Sequence, residues 1–274
     1  MSDLVLHAGF SFLTAFLGAL GGIGGATILV PLLMVTGLGI LEAAPLGLVS
    51  VAATSLSAST RQLEAGLVHH RLGVTVEVVA SSFAIVGALA STAVPEVWLA
   101  RSLGLGALAG AVFTLARRGT RNRGEVAFLG DSAGEWPGTL GGTYHFDGHS
   151  VPYQARRVGL GLGVAATAGA ISGMAGVGGG FLKTPAMSEV MHVPVKVAGA
   201  TATFTSGVTA AAGLLVFVGQ GRVELTDSAA VALGALVGAA LGARVQARLQ
   251  ASRARLVTGA ILLVVAAVVI GRTL

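Results

Sequence analysis

A pattern of twelve residues that occurs twice constrains this chain most. Residues 20–31 read LGGIGGATILVP, and residues 174–185, 154 positions later, read MAGVGGGFLKTP. Both copies place a cluster of glycines ahead of a proline, and both lie within long apolar stretches. Apolar segments that are interrupted by Gly and Pro at matching positions of two halves are typical of the binding sites of secondary transporters. The pattern therefore predicts a membrane protein built from a duplicated unit.

The composition also favours a membrane-embedded fold. Of the 274 residues, 54% are hydrophobic and 11% are charged, whereas soluble domains carry about 25% charged residues. The net charge of +5 comes with arginines that flank apolar stretches, as topology signals do, so the predicted partner is a lipid bilayer and not nucleic acid. The chain has no cysteine, which excludes disulfides and thiolate chemistry. No nucleophile–base pair or metal-ligand cluster stands out, so we expect neither an enzyme nor a cofactor or metal site.

Windows of about 20 apolar residues divide the chain into two halves. The eight apolar stretches are 4–38, 43–60, 73–93, 98–116, 157–191, 196–219, 226–247 and 255–272. We predict a first transmembrane repeat at 1–116, a cytoplasmic polar linker at 117–156 and a second transmembrane repeat at 157–274. The N-terminus lacks the basic start of a signal peptide, so the first stretch is expected to be retained.

The first and fifth stretches are too long for one span, and charge counting indicates how they run. If each enters and leaves on one side of the membrane, 13 Lys and Arg residues are cytoplasmic and 3 are outside. If each crosses once, the counts become 10 and 6, which the positive-inside rule disfavours. The predicted fold class is therefore an all-α membrane protein of two inverted-topology repeats. Each repeat has a Gly-broken helical hairpin followed by three transmembrane helices; two short full spans in place of each hairpin stay open.

The glycine clusters are the predicted substrate site. Residues 21–25, the first elbow, and residues 176–180, the second elbow, permit a helix break at membrane depth. The half-helix after each break directs unpaired N–H groups and its positive dipole end at the break, which favours a small anion. The alternative is that the glycines only allow tight helix crossing. The candidate residues of the elbows are Gly22, Gly24, Gly25, Ala26, Thr27, Gly176, Gly178, Gly179 and Gly180.

Polar side chains near the elbows complete the predicted site. Lys183 is the one basic residue in a glycine-elbow hairpin, and an ionisable residue within a span suggests function, although a lysine can also snorkel to an interface. Ser50 and Thr201 lie early in the spans after the elbows. Their hydroxyls can donate to an oxyanion, but such groups more often bond along or between membrane helices. Glu77 is the acid deepest in a predicted span; we expect an interfacial carboxylate, with proton coupling as the alternative.

The repeated Gly-(Ile/Val)-Gly-Gly-(Ala/Gly)-x-x-x-x-Pro element resembles that of the TauE/SafE family of sulfite exporters, also called TSUP. The segments from 43 and from 197 are similar to the small-residue spans after each elbow, and 66–68 and 221–223 to the family's Gly-x-Val turns. The resemblance covers about 10–116 and 157–272. It implies a secondary transporter that exports or takes up a small sulfur-containing anion, such as sulfite, sulfoacetate or another organosulfonate, across a bacterial or archaeal cell inner membrane.

Two features depart from the family pattern, and several alternatives stay open. Residues 45–49 read PLGLV where an Ala-Thr-Ser type of stretch is common, and the central linker is long and polar. A passive anion channel could use the same broken helices, and a non-transporting membrane scaffold is a third class. Protons are a candidate coupling ion, and a homo-oligomer is a further open alternative.

Overall fold

The chain folds mostly into α-helices. The computed structural model of the protein describes residues 2–21, 24–115, 134–146, 149–246 and 251–273. The helices are α1 Ser2–Gly21, α2 Ala26–Val35, α3 Ile40–Glu64, α4 His70–Ala90, α5 Glu96–Leu115, α6 Val158–Ala175, α7 Gly180–Pro185, α8 Val195–Gly219, α9 Leu225–Gln246 and α10 Ala251–Thr273. A π-helical turn, Ala186–Val190, continues α7.

Several of these helices are suited to a membrane. Among the described residues, α3, α4, α6, α8 and most of α9 are long and apolar enough to span one. Their outward faces are apolar as well: Leu215 is 74% exposed, Leu233 65% and Val78 63%. Rows of exposed large hydrophobic side chains are disfavoured in water, and lipid is the medium that covers them. The chain is a multi-pass membrane protein.

Helices of the first half of the chain pack mainly on helices of the second half. Helix α1 packs on α9, and α6 packs on α4; α3 also packs on α9, and α8 on α4. Helices α3 and α8 pack on each other, as do α5 and α10. Glycines allow the closest crossings, because a Cβ on Gly238 would lie 2.2 Å from the carbonyl oxygen of Phe12, and a Cβ on Gly173 2.0 Å from that of Ala84.

The helices of the two halves also end alike. After α3, Gly66 has a φ of +64°, and after α8, 155 positions later, Gly221 has a φ of +69°. In each case the glycine N–H bonds the carbonyl three residues back, and the following residue, Leu67 or Arg222, bonds the carbonyl five residues back. This is the Schellman motif, in which only glycine adopts the left-handed geometry without strain.

The two broken hairpins begin and end at opposite ends of the helix bundle. The backbone N–H of Arg156, just before α6, donates to the carbonyl oxygen of Met191, just after the π-helical turn, at 2.9 Å. Helix α1 runs parallel to α9, with His7 Nδ1 3.1 Å from Asp227 Oδ1. Arg222, which precedes α9, donates to the carbonyl oxygen of Leu41. Leu41 is the second residue of α3, which follows α2 after a short loop. We call the end with Arg156 and Met191 the sheet end, and the end with Leu41 and Arg222 the Arg222 end.

A small β-sheet lies at the sheet end, which the all-α prediction did not include. Strands β1 Gly134–Glu135, β2 Gly141–Phe146 and β3 His149–Gln154 form an antiparallel sheet in the order β1-β2-β3. The strands are short and contain Gly and Pro, so they give little local signal. Tyr144 and Tyr153 lie on one face of the sheet, and both are buried. The all-α prediction is therefore wrong for this part of the predicted linker, whose residues 117–133 lie outside the described ranges.

Candidate functional site

The first elbow separates α1 from α2 and packs on its own hairpin. Helix α1 ends at Gly21 and α2 begins at Ala26, while Gly22 lies outside the described residues. Gly24 has a φ of +81°, and a Cβ on Gly25 would lie 2.5 Å from the Cα of Ala15. Ala26 and Thr27 form the fully buried first turn of α2.

The second elbow separates α6 from α7 and packs on α3. Gly176, Gly178 and Gly179 have φ values of +75°, +74° and +69°, a region that L-residues with side chains rarely adopt. Gly180, also buried, begins α7. A Cβ on Gly176 would lie 2.1 Å from the carbonyl oxygen of Ala44, and one on Gly178 2.5 Å from Cγ1 of Val51. A side chain at Gly176 or Gly178 would therefore clash with α3.

Helix α3 contacts both hairpins at Gly47, and two buried hydroxyls follow on the same face of the helix. A Cβ on Gly47 would lie 2.3 Å from the carbonyl oxygen of Gly176 and 2.5 Å from Cγ2 of Val30 in α2. Ser50 and Thr54 follow Gly47 at helical spacing, on the face that includes Val51. Both are buried, and among the described residues neither hydroxyl has a hydrogen-bond partner. Buried hydroxyls are normally bonded, so this face of α3 can still accept a polar ligand.

Lys183 is fully buried one turn beyond the second elbow, and it is paired. Its backbone N–H donates to the carbonyl oxygen of Gly179 at 3.0 Å. Its Nζ donates to Oε2 of Glu77 in α4 at 2.6 Å and to the hydroxyl of Thr209 in α8. The hydroxyls of Thr209 and Ser81 each donate to Glu77 Oε1 at 2.5 Å. This network joins α4, α7 and α8, and its burial excludes a snorkelling lysine.

Glu77 lies deeper in the protein than its place in the sequence predicts. It was expected to be an interfacial carboxylate, but it is 6% exposed and bonded to Lys183. The available signal was the presence of one lysine and one glutamate deep in apolar stretches of different halves, because buried opposite charges need each other.

The charged pair belongs to one half only, although its hydroxyl partner is repeated. Thr205 and Thr209 in α8 correspond to Ser50 and Thr54 in α3, 155 positions earlier. In α8, Thr209 bonds the pair, whereas the matching hydroxyl of α3 has no partner among the described residues. At the positions equivalent to Lys183 and Glu77 the other half carries Leu29 and Ala232.

Thr201 lies at the sheet end, two turns of α8 before Thr209. Its hydroxyl accepts the backbone N–H of His69 at 2.9 Å. The ring of His69 accepts the N–H of Leu72 at 3.2 Å through Nδ1 and donates through Nε2 to the carbonyl oxygen of Gly141, also at 3.2 Å. Burial lowers the pKa of His69 despite the opposing charge of Glu135. The contacts of Thr201 therefore tie α8 to the start of α4 and to the sheet.

The carboxylate of Glu135 holds the sheet on the first turn of α4. It accepts the backbone N–H groups of His70 and Arg71 and bonds His70 Nδ1 at 2.9 Å. Burial acts to raise the pKa of Glu135, but the hydrogen bond from the N–H of His70 and the charge of His69 outweigh it, so the pKa is lowered. The negative charge also suits the positive end of the helix.

Replacing this carboxylate is expected to loosen the sheet. Because the pKa of Glu135 is lowered by folding, its stabilisation is present above the usual glutamate pKa of about 4.3 and disappears as the pH falls through the lower folded value. Glu135→Gln should weaken docking by about 1 kcal/mol, as for a lost N-cap. Hydrogen exchange in β2 and β3 at neutral pH should rise about fivefold, and the difference from wild type should vanish in acid. An equal effect of Glu224→Gln, at the Arg222 end, would contradict this.

A family model matches nearly the whole chain. The model of the family described as "Sulfite exporter TauE/SafE" matches residues 7–269. Comparison with the curated proteins and with the solved structures gives no match. The family is one of membrane transporters and not of enzymes, and membership implies a small anionic substrate such as sulfite. The chain belongs to the TauE/SafE family of sulfite exporters.

Proposed function

We propose that the protein is a secondary transporter that exports a small sulfur-containing anion, such as sulfite, sulfoacetate or another organosulfonate, across the cell inner membrane. The observation that supports this best is the second elbow. Two of its three left-handed glycines, Gly176 and Gly178, pack on the face of α3 that carries the unpartnered hydroxyls, and a buried lysine lies one turn beyond Gly179. Backbone N–H groups, hydroxyls and an ammonium are the donors that an oxyanion requires.

Two inverted-topology repeats, 1–116 and 157–274, are part of the proposal. If α1 is interchanged with α6, α4 with α9 and α3 with α8, the α1–α9 contact becomes the α6–α4 contact, and the α3–α9 contact becomes the α8–α4 contact. A pseudo-two-fold axis requires this correspondence. The hairpins enter from opposite ends of the bundle, which supports an axis in the membrane plane. Arg61, Arg71 and Lys196 lie near the sheet end, so the positive-inside rule makes that end, with residues 117–156, cytoplasmic.

The substrate site is proposed to lie near the midplane, between the elbows. Gly47 contacts both α2 and the second elbow, so the two broken hairpins meet at α3. The first turn of α2 and the glycines of the second elbow provide backbone N–H groups there, and Ser50 provides a hydroxyl. Rocking of one repeat against the other about this point would give alternating access. Thr201 is retained as a candidate substrate contact on the sheet-end side of this site.

Thermal unfolding against a panel of anions tests the site. The panel comprises sulfite, sulfoacetate, methanesulfonate, thiosulfate, sulfate, phosphate, acetate and chloride. A ligand at about 100 times its Kd stabilises the folded state by about 2.7 kcal/mol, which should raise the melting temperature of the detergent-purified protein by a few degrees for the sulfur oxyanions alone. An equal response to all eight anions, or none, would count against a selective site.

Flux measurements distinguish the transporter from a channel. In proteoliposomes, a transporter should accumulate a labelled sulfur anion by counterflow against a concentration gradient, because unlabelled anion on the other side returns the carrier. A channel only equilibrates the label. Failure of counterflow with the anion that stabilises the protein would favour the channel.

A further inference from the structure

In the Lys183–Glu77 pair, a carboxylate occupies the position beside a buried ammonium where a small anion can also bind. Lys183 is fully buried, and its ammonium is held by a carboxylate from α4 and a hydroxyl from α8. It lies one turn from Gly179, whose Cβ position is 3.6 Å from the Cβ of Ser172 in α6. Ser172 is also fully buried, and its hydroxyl has no partner among the described residues. An unpartnered buried hydroxyl therefore lies beside Gly179, one turn before Lys183.

We propose that the carboxylate of Glu77 is the resting counter-ion of Lys183, that the transported anion replaces it, and that Glu77 takes up one proton when this happens. The inference rests on the proposed function, because it requires an anion at the second elbow. In the resting state the ammonium pairs with the carboxylate. In the loaded state the ammonium pairs with the anion, and the proton forms an O–H bond on Glu77; no bond within the anion changes.

Charge balance is the reason for the proton. Removing an uncompensated charge from water into a protein interior costs several kcal/mol. The resting pair is neutral. An anion that entered beside an ionised Glu77 would leave a net negative charge in the bundle, whereas a monoanion that enters with one proton leaves the site neutral. The hydroxyls of Thr209 and Ser81 suit both states, because a rotated hydroxyl donates to a carboxylate or accepts from a carboxyl.

The helices around the pair carry few other ionisable groups. Helices α6 and α8 pack on α4, and α5, α6, α8 and the π-helical turn pack on α7. In the described part of the chain, α6 carries no ionisable side chain, and α8 carries one lysine, thirteen residues before Thr209. The further ionisable residues of these elements and of α4 are His70, Arg71, Glu96, Arg101, Glu189 and Lys196. Glu77 is therefore the acid through which anion binding at Lys183 and proton uptake are linked.

The direction of coupling follows from this exchange. Proton and anion occupy the site together, so they cross the membrane in the same direction, and a monoanion moves without net charge. Export then runs down the concentration gradient of the anion that accumulates in the cytoplasm, not down the proton gradient. The same protein would catalyse uptake when the proton gradient is the larger of the two.

The pH dependence of anion binding tests the proposal. The probes are methanesulfonate, sulfoacetate and thiosulfate, whose charges stay constant between about pH 6 and 8, so proton uptake must come from the protein. In wild type, the Kd of methanesulfonate, the monoanion among these probes, should rise about tenfold for each pH unit, because its binding takes up one proton. In Glu77→Gln, which keeps the shape of the side chain, the Kd should be lower at high pH and constant across the range. Glu224→Gln, an exposed acid at the Arg222 end, should keep the wild-type slope.

The outcomes separate the inference from the proposed function. Binding without a pH slope in wild type, or an unchanged slope in Glu77→Gln, would overturn the inference and leave the transporter intact. Absence of binding of every probe to both proteins would overturn the proposed function as well. If Glu77→Gln does not fold, the wild type still decides: an inward gradient of methanesulfonate must acidify the lumen of proteoliposomes that contain a pH dye, and no acidification during anion uptake would overturn proton coupling.

Discussion

Gly178→Ala is expected to abolish anion transport and to lower the free energy of unfolding by about 2–5 kcal/mol. Two costs add at this position. The φ of +74° is strained for alanine, by about 1–2 kcal/mol. The new Cβ would also lie 2.5 Å from Cγ1 and 2.6 Å from Cγ2 of Val51, and such overpacking costs about 1–3 kcal/mol. Thermal unfolding in detergent and counterflow in proteoliposomes measure the two effects.

Gly24→Ala is the matched control for this variant. Gly24 has a similar φ of +81°, but a Cβ there would meet no atom within 4 Å, so it should lose only the backbone part, about 1–2 kcal/mol. Val51→Ala removes the obstructing methyl groups and should restore part of the stability of Gly178→Ala. Equal losses in Gly24→Ala and Gly178→Ala would contradict the close packing of the second elbow on α3. Normal transport by both would contradict the elbows as the substrate site.

The positions of the helix breaks were predictable because their causes are local. A run of glycines followed by an apolar segment favours the end of one helix and the start of the next, and α2 and α7 begin at Ala26 and Gly180. The glycines and prolines of residues 20–31 and 174–185 also account for the interruption of the two longest apolar stretches. The membrane class and the helical content were accessible for the same reason, since both depend on patterns within about 35 residues of chain, and the family was recognisable from the element that recurs 154 positions later.

The partners of the polar residues were not predictable, because they depend on how distant helices pack. Glu77 and Lys183 are 106 positions apart, and nothing near either residue indicates that α4 and α7 place them in contact. Thr201 was chosen for its place after the second elbow, yet its hydroxyl bonds the N–H of His69, 132 positions away. Strands of two to six residues gain their buried face from the helix ends beneath them, so composition alone suggested only a polar linker.

Lys183→Met is expected to lower the free energy of unfolding by about 3–5 kcal/mol and to abolish transport. Removing one partner of a buried ion pair leaves the other charge uncompensated, and Glu77 is only 6% exposed. Methionine has a similar length and an apolar character, so the loss should come from the stranded carboxylate and not from a cavity. Chemical or thermal unfolding of the purified protein measures the change in stability, and counterflow measures transport.

The double variant Lys183→Met/Glu77→Gln distinguishes charge from packing. It removes both charges while the amide can still bond Thr209 and Ser81, and neutral replacement of a buried pair is often tolerated without loss of stability. Stability should return to near the wild-type value, but transport should not, because the ammonium that pairs with the anion is absent. A double variant as unstable as the single one would assign the loss to packing around α7. A double variant that transports would remove Lys183 from the substrate site and leave the pair a structural link between α4, α7 and α8.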